Sequence, residues 1–238
     1  MQLKTSDRIL LIGDTHLSPV KFNDEIESLT CFLNEKIDYN YLFLLGDIFD
    51  YFYEFKYYIP KNYFYLYNTL YNLSKRMQIH YWLGNHDFWH IDFLKKIGIK
   101  IHFKPELINI GDKKYFIAHG DNLKNEDIFN SFIKNEITQW FYKKIHPDIS
   151  YEIGKFISKL SSNSSRNKNI RMDKYIEFAE KKFKEGVDVV LIAHIHNQFL
   201  YKKGNKIFVV IGDWKYRKNY CEIIDGKIFL KCDTQSPR

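Results

Sequence analysis

YLFLLGDIFD, residues 41–50, is the stretch from which the rest of the chain can be read. Five apolar residues run directly into Gly46 and Asp47, the composition of a strand covered on both faces. The glycine then lets the backbone turn, so that Asp47 stands at the strand's carboxyl end. Four other stretches repeat the device. ILLIGDTH (9–16) brings up Asp14 and His16, and HYWLGNHD (80–87) brings up Asn85, His86 and Asp87. KYFIAHGD (114–121) brings up His119 and Asp121, and VVLIAHIH (189–196) brings up His194 and His196. Loops of this kind converge at the carboxyl edge of an open α/β sheet, and the five together read as one metal site.

Between these stretches the chain alternates strand and helix. A strand at 9–13 is followed by a helix at 24–37 with Ile26, Leu29, Leu33 and Ile37 on one stripe. After the strand at 41–45, residues 49–71 hold twelve Phe or Tyr and end in a helix opened near Pro60, with Leu66, Leu70 and Leu73 inward. Most of these rings read as a core helix with a covering loop, and the aromatic surplus is expected to line a groove or surface. Further strands at 79–83, 99–103 and 115–118 and a short helix at 90–97 complete a βαβ pattern, hence a largely parallel sheet. From Val189 onward the chain is rich in strands (198–201, 206–211, 220–224, 227–230), the last two joined by Asp225-Gly226, a hairpin signal. These late strands suggest a second sheet packed on the first, a four-layer α-β-β-α sandwich.

The intervals from Asp14 to Asp47, to Asn85 and to His119 are each 33 to 38 residues, whereas His119 to His194 spans 75. The excess is read as a helical cap insertion at about 126–182 within a single domain of residues 1–238. It comprises apolar-faced helices at 126–144 and 148–160, a polar tract at 161–169, and a last helix carrying Met172, Ile176, Ala179 and Phe183.

A hydrophobic content of 45% excludes a disordered chain, and the net charge of +7 favours a polyanionic partner: phosphate esters, nucleic acid or an anionic membrane face. Cys31, Cys221 and Cys232 are odd in number and lack CxxC spacing, so neither a disulfide framework nor a zinc knuckle is supported. A reducing, cytoplasmic setting fits, and no run approaches the ~20 apolar residues of a membrane span.

Asp14, His16, Asp47, Asn85, His119, His194 and His196 offer oxygen and imidazole ligands without thiolates, which suits Mn²⁺, Fe²⁺ or Zn²⁺. Seven are too many for one ion. Two divalent ions about 3.5–4 Å apart accommodate them if one carboxylate bridges, and Asp47 is the best candidate for that bridge.

DTH, GDIFD, GNHD, HGD and AHIH, in this order, resemble the five-block signature of the calcineurin-like metallophosphoesterases. The resemblance implies one metal, most readily Mn²⁺, on Asp14, His16, Asp47 and His196, and a second on Asp47, Asn85, His119 and His194. It also implies His86 beside the scissile phosphate, oriented by Asp87, stabilising charge or protonating the leaving oxygen. Within the superfamily, GDIFDYFYEFK, the insertion after HGD, Met172-Asp173 and the IGDW of 211–214 are similar to the UDP-2,3-diacylglucosamine diphosphatases of lipid A synthesis. That similarity implies cleavage of a UDP-linked glycolipid to UMP and an acylated glucosamine 1-phosphate, on an anionic inner-membrane surface. Acyl chains would lie under the cap, with Asn122, Arg166 and Lys168 as substrate contacts. Two departures bear on the substrate. The best-known branch has Arg where His86 stands, and GH-x-H followed by Arg-Pro where this chain reads Ala193-His194-Ile195-His196-Asn197-Gln198.

His80, His90, His102 and His146 match no block and are expected to be structural or surface residues. The competing readings are a phosphodiesterase or nuclease of the same superfamily, and a metal-free scaffold. The complete ligand set argues against the scaffold.

Overall fold

The computed structural model describes residues 1–18, 24–50, 52, 54–87, 92–121, 146, 148–149, 152 and 172–234. Two six-stranded sheets face each other. The first contains β2 (Ile9–Ile12), β3 (Tyr41–Leu45), β4 (Gln78–Trp82) and β5 (Ile99–His102), all parallel. The second is built from β1 (Gln2–Leu3), β6 (Glu106–Ile110), β7 (Lys113–Ile117), β8 (Val189–Ile192), β9 (Phe199–Lys203) and β10 (Lys206–Val210) in the order β1-β6-β7-β8-β10-β9. The parallel trio β7, β8 and β10 forms its middle.

Alternation along each strand builds the layers. Ile9 and Leu11 of β2, Phe43 and Leu45 of β3, and Trp82 of β4 point between the sheets, where they meet Tyr115, Ile117, Val189, Leu191 and Val209. Leu10, Ile12, Leu42, Leu44, Ile79 and Tyr81 point outward under α1 (Asp24–Glu35), α2 (Phe64–Ser74) and α3 (Asp92–Lys96). On the far side Phe116, Val190, Ile192, Phe208 and Val210 are covered by α4 (Met172–Lys184) through Tyr175, Ala179 and Phe183. The fold is thus the expected α-β-β-α sandwich, its inner strands buried on both faces as their unbroken apolar runs require.

Several expectations are corrected. The late hairpin, β11 (Asn219–Ile224) and β12 (Lys227–Cys232), does not join the second sheet. It extends the first, β11 pairing antiparallel with β2 through Cys221↔Leu11 and Ile223↔Ile9. The 115–118 strand lies in the second sheet, as β7, and β1 and β6 are strands that the sequence pattern did not reveal. The first helix stops at Glu35, and Ile37, expected on its buried stripe, is exposed. Of the expected insertion, residues 126–145, 147, 150–151 and 153–171 lie outside the described residues, whereas α4 is the outer layer of the second sheet.

Candidate metal centre

The loops that leave β2 and β3 do not diverge. The amide of Asp14 donates to the Gly46 carbonyl (3.1 Å), that of His16 to Asp47 (2.9 Å) and that of Leu17 to Ile48 (3.0 Å), so the pairing continues past the strand ends. The loop after β10 closes over them, with the Trp214 and Lys215 amides donating to the carbonyls of Gly13 and Asp14 (both 3.3 Å). From the second sheet, Ala193 N–H donates to the His119 carbonyl at 2.8 Å. All five sequence stretches therefore meet at one edge.

The backbone there is strained. Asp14 (φ 49°), His16 (φ 42°), Asp47 (φ 51°) and His194 (φ 62°) adopt left-handed conformations that non-glycine residues rarely hold, each at a cost of about 1 kcal/mol or more. Glycines make the close approaches possible. A Cβ at Gly46 would lie 2.3 Å from the His119 ring, and one at Gly84 would lie 2.1 Å from the Asp47 carboxylate.

The side chains gather in largely buried groups around Asp47. Asp14, His16 and His196 make one and Asp47, His119 and His194 another, with the ligand atoms in each within 4.8 Å of one another; His86 lies equally close to His16 and Asp47. Asp47 Oδ2 lies 3.8 Å from His16 Nε2 and 3.4 Å from His119 Nε2, so one carboxylate faces both groups. The His119 ring is fixed by Nδ1, which donates to the Leu45 carbonyl (2.8 Å), and this aims Nε2 at Asp47 and at His194 Nδ1, 3.2 Å away. His16 is fixed by Asp50, whose Oδ1 is 3.2 Å from Nδ1, and Asp50 is itself held by Lys215 Nζ at 3.4 Å. Lys215 Nζ also donates to the His16 carbonyl at 3.2 Å.

These residues fit a pair of divalent cations. Both carboxylate oxygens of Asp14, His16 Nε2 and Asn85 Oδ1 are buried without a hydrogen-bond partner, which is costly for a site of protein atoms alone. The titration pattern says the same. Burial pushes Asp14 up to about 7, with the Asp47 carboxylate adding to the rise. Burial would also raise Asp47, but His119 holds it well below the usual carboxylate range. His119 is raised well above an ordinary imidazole despite its burial, because Asp47 lies against it. His194 is lowered to about 3 by burial and the His119 charge, and His196 to about 4 by burial and His16. A cation would therefore displace protons shared among carboxylates and imidazoles, and would find His194 and His196 already neutral.

His86 lies against the ligand groups and is itself buried. Its amide donates to Asp47 Oδ1 (2.9 Å), its Nδ1 pairs with the Asp50 carbonyl (3.1 Å), and its ring meets that of His16 edge-on at 5.0 Å. Because a carbonyl can only accept, Nδ1 carries the proton and Nε2 is left free. Asp87, expected to orient that ring, does something else. Its buried carboxylate accepts the amides of Asp47 and Gly84, the latter at 3.1 Å, and ties the β3 loop to the β4 loop. Burial and Asp47 raise it to about 6.

Asn122, Arg166 and Lys168, the expected substrate contacts, and His90 lie outside the described residues. His80 and His102 sit apart from the centre, stacked on each other and on Trp82, with His102 Nδ1 2.8 Å from Glu106. His146 is exposed beside Asp148. Asp50 and Lys215 were missed by sequence reasoning, although the GDIFD spacing held a signal for Asp50. Asp213 was missed as well. It lies 3.6 Å from His196 Nδ1, with a GD after β10 as its sign, and Arg217 donates to the His196 carbonyl at 3.0 Å.

The sequence profile described as calcineurin-like phosphoesterase matches residues 7–198. A UDP-2,3-diacylglucosamine hydrolase of Porphyromonas gingivalis is 24% identical over 210 residues, covering 78% of this chain and 80% of the relative. One from Aliivibrio fischeri is 27% identical over 233 residues, covering 91% and 95%. Among solved structures, an archaeal phosphodiesterase superposes with a TM-score of 0.50 at 14% identity, covering 95% of this chain and 99% of that one, a likeness of fold.

Proposed function

Since the chain belongs to the calcineurin-like phosphoesterase family, as a metal-dependent hydrolase, we propose that it cleaves UDP-2,3-diacylglucosamine to UMP and 2,3-diacylglucosamine 1-phosphate at the cytoplasmic face of the inner membrane. The observation that carries the chemistry is Asp47 Oδ2, which faces both ligand groups at once. What supports the substrate is the likeness, over most of the chain, to relatives described as UDP-2,3-diacylglucosamine hydrolases.

Asp14, His16, Asp47 and His196 would hold one ion, and Asp47, Asn85, His119 and His194 the other, Mn²⁺ suiting these donors. Such a pair supplies a water-derived nucleophile at neutral pH and neutralises charge on the phosphoryl oxygens. The chain's own residues supply position and proton. Asp50 and Leu45 hold the His16 and His119 rings with Nε2 toward Asp47. Asp87 keeps the β3 and β4 loops in fixed relation, and with them Asp47 and His86. With Nδ1–H held by the Asp50 carbonyl, His86 in its imidazolium form would present Nε2–H, suited to stabilising developing charge or giving a proton to the departing phosphate ester. The acyl chains are assigned to the segment at about 126–182, with Asn122, Arg166 and Lys168 toward the head group. Among the described residues no helix is long and apolar enough to cross a membrane.

The test is incubation with Mn²⁺ and, separately, UDP-2,3-diacylglucosamine, bis-p-nitrophenyl phosphate and single-stranded DNA, followed by product analysis. UMP release from the lipid is expected to dominate. Cleavage of DNA or the diester with the lipid untouched would transfer the protein to the phosphodiesterase or nuclease reading.

A further inference from the structure

The aromatic run at 49–71 divides into two sets. Phe49, Phe52, Tyr63 and Tyr67 are buried and meet ring to ring, Phe49 lying 4.8 Å from Phe52 and 4.7 Å from Tyr63. Tyr63 also donates its hydroxyl to the Leu17 carbonyl at 2.8 Å, one residue beyond His16. This inner ladder joins α2 to the metal loops.

The second set faces solvent. Tyr57 is 76% exposed, Tyr58 65%, Phe64 61% and Tyr71 44%. Phe64 and Tyr71 lie two turns apart on one stripe of α2, while Tyr57 and Tyr58 sit in the turn before it, closed by Phe55 N–H donating to the Tyr58 carbonyl (2.9 Å). Single exposed rings need no explanation, but a group of them beside a site does. Along the segment that carries them the charges are of one sign, whereas α1, which packs against α2, carries Asp24, Glu25, Glu27 and Glu35. Residues 55–86 contain no Asp or Glu, although the chain has 29. Lys56 lies 4.9 Å over the Tyr57 ring and Lys75 4.4 Å over the Tyr71 ring. Glu54, the preceding acid, accepts the Phe93 amide at 2.6 Å.

We propose that this aromatic and lysine face of α2 and the turn before it is the surface by which the protein rests on an anionic lipid bilayer. Tyrosine and phenylalanine rings settle at head-group depth, where one end is apolar and the other wet, and ammonium groups above them meet lipid phosphates. The solvent side of a helix gives no groove along which a nucleic-acid strand could track, and this separates the face from a single-strand binding channel. Through Phe49 and Tyr63 the face is rigidly connected to the loops of Asp47 and His16, so docking would bring the metal centre to the membrane surface. The proposal rests on the reading of the substrate as a membrane lipid.

Full-length protein would be sedimented with phosphatidylcholine vesicles with and without phosphatidylglycerol. Binding is expected only with the anionic lipid, falling as salt rises. Tyr57→Ser/Tyr58→Ser/Phe64→Ser and, separately, Lys56→Glu/Lys75→Glu should each weaken vesicle binding by roughly tenfold or more. Turnover of bis-p-nitrophenyl phosphate and the melting temperature should stay at wild-type values. Unchanged vesicle binding in both variants would overturn the proposal, as would loss of single-stranded DNA binding in a protein that ignores vesicles. Vesicle binding lost in the variants of a protein that leaves UDP-2,3-diacylglucosamine intact would sink the substrate assignment and keep the docking face.

Discussion

Replacing Asp47 by alanine removes a carboxylate that faces both ligand groups, so metal content should fall at both positions and hydrolysis should cease. His16→Ala should spare the second ion more. Elemental analysis of the purified variants decides this, and an Asp47→Ala protein with both metals and full turnover would end the two-ion assignment. Asp50 never reaches the ligand groups except through His16, so Asp50→Asn should weaken metal affinity by about 10–100-fold, read calorimetrically. His86 behaves differently because its contacts are to Asp47 and to a carbonyl. His86→Ala should keep its metals and lose roughly 10²–10⁴ in turnover. Unchanged turnover would remove it from the mechanism. The ligand residues were legible because each follows an apolar strand directly. Asp87 follows His86 in sequence, yet its carboxylate accepts the amides of Asp47 and Gly84, and adjacency along the chain does not predict a shared direction.

At the scale of the element, strand ends and their glycines hold the site together. Gly46 has φ 78° and no room for a Cβ against His119. Gly46→Ala should therefore destabilise the fold by about 2 kcal/mol or more and displace His119 from Asp47, seen as a lower melting temperature together with reduced metal content. A variant with wild-type stability and metal would show that this turn relaxes freely. The five ligand-bearing strands could be recognised from composition, but β1 and β6 could not. One is two residues long, and the other, Glu106–Ile110, carries only two buried side chains, Ile108 and Ile110. The Asp225-Gly226 hairpin was visible, whereas its sheet was not. Cys221 and Ile223 pack between the sheets while Tyr220 packs on the outer layer, and both sheets offer such surroundings.

For the whole molecule, the metal site and the stability of the fold are linked through Asp14. Its folded value of about 7 lies above that of an ordinary aspartate, so its contribution to stability is full below about pH 4 and lost as pH rises through about 7. Divalent cations need the ionised form. The rise in melting temperature on adding Mn²⁺ should accordingly be larger near about pH 8 than near about pH 5.5, and calorimetry showing the reverse would remove Asp14 from the ligands. The layered architecture was readable from alternating apolar runs, but the order in which the chain completes it was not. β2 is flanked on one side by β3, its near neighbour in sequence, and on the other by β11, where Leu11 pairs with Cys221. During synthesis, then, the strand that leads to Asp14 and His16 has an open apolar edge until β11 has left the ribosome. His196 and the Trp214 and Lys215 amides that close over Gly13 and Asp14 also come late. Nascent chains cut short before β11 would present ILLI as an unpaired edge, prone to joining other chains, and the full set of ligand residues exists only once His196 has been made.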